Sequence, residues 1–188
     1  MSQPDCKSKS VKSIQLSLSP KMKTGILLIN LGTPDSPSTG HVRKYLRQFL
    51  NDPRVIDIAP LSRLLLVNLI IVPFRAPKSA KLYQSIWTKA GSPLTINGLA
   101  LKKALQEQLG DTFTVAFGMR YQNPTLETAL EELRKAQVEK IVVLPLYPQY
   151  ASSSTGSTLE ELMRQIKKWE VIPSLEIISK FYDHPAFM

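Results

Sequence analysis

Four short apolar runs, with stretches of helical spacing between them, constrain the fold of this chain more than any other feature. Residues 25–31 form a continuous apolar run of strand length, closed by Gly32, Thr33 and Pro34. That pattern suits a strand covered on both faces. Residues 114–117, 140–145 and 175–178 repeat it. Helical spacing appears at Val42, Tyr45, Leu46, Phe49 and Leu50, and again at Leu99, Leu101, Leu105 and Leu109, behind an Asn97 cap and before a Gly110 stop. It recurs at Leu126, Ala129, Leu130 and Leu133 behind Asn123 or Thr125, and over residues 158–169. Strands alternating with helices predict an α/β fold, a Rossmann-like parallel sheet of about four strands flanked by helices. Ligands of such sheets bind beyond the carboxyl ends of the strands. Those ends are residues 32–34, 118–121 and 145–150.

A chain of 188 residues is enough for one such domain and short for two. Residues 1–22 hold Ser, Lys and Gln with little to bury and read as a disordered basic tail, leaving 23–188 as the domain. Of the net charge of +9, Lys7, Lys9, Lys12, Lys21 and Lys23 against Asp5 supply +4 in the first 23 residues. The remaining basic residues are spread over several segments with no nucleic-acid motif, so no nucleic-acid partner is expected. One cysteine, Cys6, allows neither an internal disulfide nor a cysteine metal site and agrees with a cytoplasmic location. The tail lacks the apolar core of a secretory signal.

Residues 64–74 are the most apolar stretch. Eleven residues fall short of the roughly 20 needed to span a bilayer. The default reading is a buried helix; the sharper one is an exposed apolar lip, with Pro73 and Arg75 marking its end as a loop. Just beyond lie Arg75, Lys78, Tyr83 and Ser92, two cations and two hydroxyls. A large apolar ligand with a carboxylate edge needs greasy walls, an Arg fork and hydroxyl donors together, and porphyrins have that shape. The strand-end segment 28–34 has only one glycine and no phosphate-loop lysine, which excludes a dinucleotide or P-loop reading. Residues 145–150 and the Ser/Thr/Gly run 152–157 lead into a helix whose start suits a cap or an anion. His41 has no evident partner, and His184 stands beside Asp183; neither has metal-ligand spacing.

Seven ordered segments, at 28–37, 42–50, 54–56, 75–78, 91–94, 118–121 and 144–150, make this chain resemble the amino-terminal half of the ferrochelatase family, which inserts ferrous iron into a porphyrin. The resemblance covers residues 23–188. It implies a protein of two Rossmann-like halves with protoporphyrin IX in the cleft between them, bent so that its pyrrole nitrogens become accessible. It places Leu31 against the porphyrin face, Arg75, Tyr83 and Ser92 at the ligand's polar edge, and Arg120 and Tyr121 on the pocket floor. The stretch from Leu61 to Phe74 becomes the lip, with peripheral contact to the inner membrane. The family's essential histidine and its acidic partner lie beyond Met188, so no catalytic residue is carried over. His184 corresponds only to a surface histidine that takes up metal on its way in. No bound cofactor is expected, ferrous iron being a substrate. The position where some members have an iron–sulfur ligand is Ser152, so no cluster is expected.

From the resemblance the chain is expected to be a truncated ferrochelatase, inactive alone. The alternative is a porphyrin-binding or membrane-associated module without chemistry. A short chelatase acting as a homodimer would carry a histidine at the end of the first strand, where this chain has Asn30, Leu31 and Gly32.

Overall fold

A computed structural model describes residues 22–188; the expected disordered tail, Cys6 included, lies outside the described residues except for Met22. Four parallel strands form one sheet in the order β2-β1-β3-β4. They are β1 (Thr24–Gly32), β2 (Phe113–Tyr121), β3 (Lys140–Pro145) and β4 (Ser174–Ile177). Six α-helices connect them: α1 (Thr39–Leu50), α2 (Pro60–Leu65), α3 (Val72–Ile86), α4 (Pro93–Leu109), α5 (Leu126–Lys135) and α6 (Ser157–Ile166).

β1 is central because its side chains serve two layers. Leu27 and Ile29 pack with Leu130, Leu133, Ile141 and Leu162 under α5 and α6. Leu28 packs with Val115, Phe117 and Met119 on the other face, closed by Leu94, Leu105 and Leu109 of α4. A strand walled on both sides has no polar face, so its sequence reads as an unbroken apolar run. A third cluster joins α1 to α3 through Val42, Tyr45, Leu46, Val67, Val72, Ala76 and Ala80, and takes in Tyr121 from β2.

Three sequence expectations are corrected. β2 does not stop at Phe117 but continues to Tyr121, paired with β1 from Ile29↔Gly118 to Gly32↔Tyr121. Gly118 is a packing glycine, since a Cβ there would lie 3.0 Å from both Ala129 Cβ and Leu126 Cα of α5. α4 starts at Pro93, one turn before Asn97, with Ser92 at the N-cap and proline in the first turn, where its missing N–H costs least.

The largest correction concerns the lip. Residues 60–86 form one continuous 27-residue helix rather than a short segment ended by a loop. A π-helical stretch, Leu66–Ile71, joins α2 to α3, with the Val72 N–H donating to the Val67 carbonyl five residues back. The extra residue shifts the helix faces by one position. Buried residues therefore run Val67, Val72, Ala76 and Ala80, a step of five and then fours. The outer stripe makes the same step: Leu61, Leu65 and Leu69, then Phe74, Lys78, Leu82 and Ile86, all exposed. By length and composition alone this helix could cross a membrane, its most apolar 18-residue stretch having a mean hydropathy of 1.3. Shortness therefore does not exclude spanning; 17% of that stretch is buried, on the side packed against α1.

Candidate tetrapyrrole site

At the carboxyl edge of the sheet, Leu31, Phe49, Val55, Ile56, Ile71 and Tyr83 lie half-buried over a floor of Val42, Tyr45, Leu46 and Tyr121. The floor is aromatic. Phe49 meets Tyr121 edge-on at 5.4 Å between ring centres, Tyr45 stacks with Phe49 at 6.0 Å, and Tyr83 meets Tyr45 edge-on at 6.3 Å. Such contacts hold flat rings in fixed orientations.

Each residue expected at the site has a definite place. Leu31 ends β1 half-buried, its N–H donating to Asn30 Oδ1 at 2.8 Å. Tyr83 stands on α3; burial raises its phenol, and the nearby positive charge of Arg75 opposes that shift. Arg75 itself is exposed at the rim. Ser92 is buried and its Oγ donates to Thr33 Oγ1 at 3.0 Å, tying the start of α4 to the loop after β1. Tyr121 is fully buried beneath the face. Leu31, Tyr83 and Tyr121 thus share one cluster, with Arg75 beside Tyr83, while Ser92 spends its hydroxyl on the fold.

Arg120 is held within the protein. Its Nη2 donates to Asp52 Oδ2 at 2.7 Å, its Nε donates to Ser157 Oγ at 2.8 Å, and its guanidinium carbon sits 4.5 Å from the centre of the Tyr121 ring. Asp52 Oδ2 also accepts from Tyr121 Oη at 2.8 Å and from Ser157 Oγ, while Oδ1 accepts the Arg54 N–H at 2.8 Å. Arg54 continues outward, its guanidinium pairing with Glu160 and donating to Ser152 Oγ at 3.3 Å. Asp52 is not marked in the sequence, while Arg54 and Ser157 fall within the 54–56 and 152–157 segments with no sign of their shared partner. The Asn51-Asp52-Pro53 run reads as an ordinary turn, and nothing local marks its distant partners.

Burial raises the Asp52 carboxyl, but hydrogen bonds from Ser157, Tyr121 and the Arg54 N–H, with the Arg120 charge, outweigh it and leave the group below its ordinary value. A depressed folded-state value stabilises the fold above the ordinary carboxylate range. That contribution fades as pH falls below about 4 and through the folded value. The melting midpoint of Asp52→Asn is therefore expected below that of the wild type at neutral pH, with the gap narrowing as pH falls below the ordinary carboxylate range. Melting curves across that range check it; a gap independent of pH would contradict it.

The remaining expected positions stand apart. His184 lies exposed in the last turn, where its Nδ1 accepts the Ala186 N–H at 3.2 Å. Among the described residues no three His, Cys, Asp or Glu side chains converge as a metal site. His41, expected without a partner, has its Nδ1 within hydrogen-bonding distance of both Ser36 and Ser38 hydroxyls at the start of α1. In the 145–150 segment, Tyr147 is pushed up to about 12 by burial, with its Oη 3.2 Å from Thr158 Oγ1.

A sequence profile of the family Ferrochelatase matches residues 23–188. A ferrochelatase of Coxiella burnetii (strain Dugway 5J108-111) is 49% identical over 166 residues, which is 88% of this chain and 46% of that protein. One of Legionella pneumophila (strain Paris) is 47% identical over 167 residues, 89% of this chain and 50% of that protein. The chain spans about half the length of the curated relatives it matches. With this match running from the first strand through the last residue, the chain belongs to the ferrochelatase family.

Proposed function

We propose that this chain holds a porphyrin for ferrous iron insertion in heme biosynthesis, as the porphyrin-binding half of a ferrochelatase. The observation that carries this reading is the half-buried face of Leu31, Phe49, Ile71 and Tyr83 over the Tyr121 floor, with Arg75 at its rim. A macrocycle is a flat apolar disc with two carboxylates on one edge, so its ring suits the face and its edge suits the guanidinium. Exchange of two pyrrole protons for ferrous iron requires access to the ring nitrogens. In this reading Leu31, at the end of the central strand, presses on one side of the ring, which its half-buried position beside Tyr121 supports. Ferrous iron is a substrate in this reading.

We read the 60–86 helix as the lip that rests on a membrane surface. Its outer stripe is apolar apart from Lys78, while Arg63, Arg75 and Lys81 are cations along the same helix that anionic headgroups would attract. The inner face packed on α1 favours lying on the membrane over crossing it.

Protoporphyrin IX added to the chain is expected to bind saturably with a shift of its main absorbance band. Arg75→Ala should weaken binding about tenfold, the loss of one charge-assisted bond. No saturable shift, or an unchanged affinity in Arg75→Ala, would overturn this reading.

A further inference from the structure

α1 differs from its neighbours in charge. It carries Arg43, Lys44 and Arg47 and no acidic residue, whereas α5 and α6 mix both signs and close ion pairs within themselves, Glu131 with Arg134 and Glu161 with Arg164. Among the described residues the only ion pair on α1 joins Lys44 to Asp35, at 3.4 Å. Gly40, Lys44 and Arg47 follow the i, i+4, i+7 spacing of one helix side. Val42, Tyr45, Leu46 and Phe49 take the other side and pack toward the candidate face. With Gln48 and the 122–125 loop, the first three line an open groove of about 530 Å³, room for a small metabolite. Among the described residues no carboxylate lines it. Asp35 accepts from Asn123 Nδ2 at 2.8 Å beside it, and Glu127 and Glu161 line the neighbouring polar cleft instead. Neutral donors are also in place. The Gln122 N–H donates to Gln48 Oε1 at 3.1 Å, which orients that amide and leaves its Nε2 free to donate. Gly40 stands in the first turn of α1, where N–H groups have no carbonyl partner within the helix and the dipole is positive. A Cβ on Gly40 would meet nothing within 4 Å, so the groove is open down to the backbone there.

We propose that this groove binds a small soluble oxyanion of two or more negative charges, a phosphate compound or a polycarboxylate, at a site separate from the porphyrin face. The Arg47 guanidinium offers a planar fork for two oxygens of one anionic group, and Lys44, three residues earlier on the same helix side, meets a second. Gln48 Nε2 and the open start of α1 complete the donor set. Two cations reward an anion that carries two charges, so a monovalent carboxylate gains only part of the attraction. The site stands on the far side of α1 from Tyr45 and Phe49, and does not depend on the porphyrin reading.

Titration calorimetry on the full chain tests this, with pyrophosphate, citrate and acetate as probes at one fixed ionic strength. Pyrophosphate or citrate is expected to bind saturably, one per chain, and at least about tenfold more tightly than acetate. Binding of one of the two and not the other supports the proposal and tells the phosphate source from the carboxylate one. Arg47→Gln should weaken that binding about tenfold, the loss of a charge-assisted contact. Lys103→Gln removes the same charge from the exposed face of α4, where Lys103 is 79% exposed, and should leave affinity unchanged. Gly40→Glu is the sharpest variant. It replaces a helix glycine by a better helix former and puts an acid in the first turn, so its melting midpoint should equal or exceed that of the wild type. It also places a carboxylate in the groove, and binding should fall by at least about tenfold. A wild-type chain that binds neither multivalent probe, or binds acetate as well, overturns the proposal. So does wild-type affinity in Gly40→Glu, or an equal loss in Arg47→Gln and Lys103→Gln, which would mean overall charge alone. Should Gly40→Glu not fold, the Arg47→Gln and Lys103→Gln pair decides by the same criterion. None of these outcomes bears on porphyrin uptake.

Discussion

Glutamate at both Leu69 and Phe74 is expected to lower partitioning onto anionic lipid vesicles by at least about a hundredfold. Both side chains stand on the outer stripe of the 60–86 helix, 66% and 74% exposed. Burying a Leu or Phe side chain contributes about 1.5–3 kcal/mol each, and roughly 2.7 kcal/mol corresponds to a hundredfold. Two carboxylates facing an anionic surface add repulsion. The fold should not suffer, because the helix is held by Val67, Val72, Ala76 and Ala80 on the opposite side. Vesicle flotation with an unchanged circular dichroism spectrum is the measurement. A doubly substituted chain that still floats with vesicles would show that the stripe is not the contact.

That stripe also shows where sequence pattern was informative and where it was not. Its apolar content was plain between Leu61 and Phe74, but its periodicity was not, because the π-helical Leu66–Ile71 inserts a residue into the repeat. A strict 3.6 period drawn from Leu61 loses phase at Phe74. Pro73 made the break seem real. In the fold it falls in the first turn of the following α-helical segment, where a missing N–H is tolerated.

The sheet was easier to read. β1 carries apolar side chains to two layers, so its signal survives without context, and β3 and β4 differ from their expected bounds by at most one residue. β2 was cut short because Gly118 resembles a turn, when its function is to admit α5. At the site, Arg75 and Tyr83 stand out from the residue pattern beyond the apolar stretch, Leu31 and Tyr121 are assigned through family resemblance, and the fold groups Leu31, Tyr83 and Tyr121 in one cluster. Asp52 could not be reached that way. Its partners Arg120, Tyr121 and Ser157 are 68, 69 and 105 positions distant in sequence, and no local pattern encodes such separations.

Gly32→Ala is expected to cost the most of any single methyl group in this chain. The residue ends β1 with φ +117°, and a Cβ there would lie 2.0 Å from the Tyr121 carbonyl oxygen and 2.9 Å from its carbon. Both atoms are backbone, so no side chain can swing away. The Gly32↔Tyr121 step of the β1–β2 ladder must open instead. Overpacking costs about 1–3 kcal/mol and a strained backbone of this kind about 1–3 kcal/mol more. A total near 4 kcal/mol is a large part of a domain's stability and predicts a fall in melting midpoint of about 10 °C. Gly91 supplies the control. Its φ is +120°, but nothing lies within 4 Å of a Cβ built there. Gly91→Ala should therefore show the backbone strain without the clash, and lose about half as much. Porphyrin affinity should follow the same order, because opening the ladder at Gly32 separates Leu31 from Tyr121, the half-buried wall from the floor beneath it. Equal melting midpoints for the two variants would mean that β1 and β2 do not meet as closely at this edge as the fold requires.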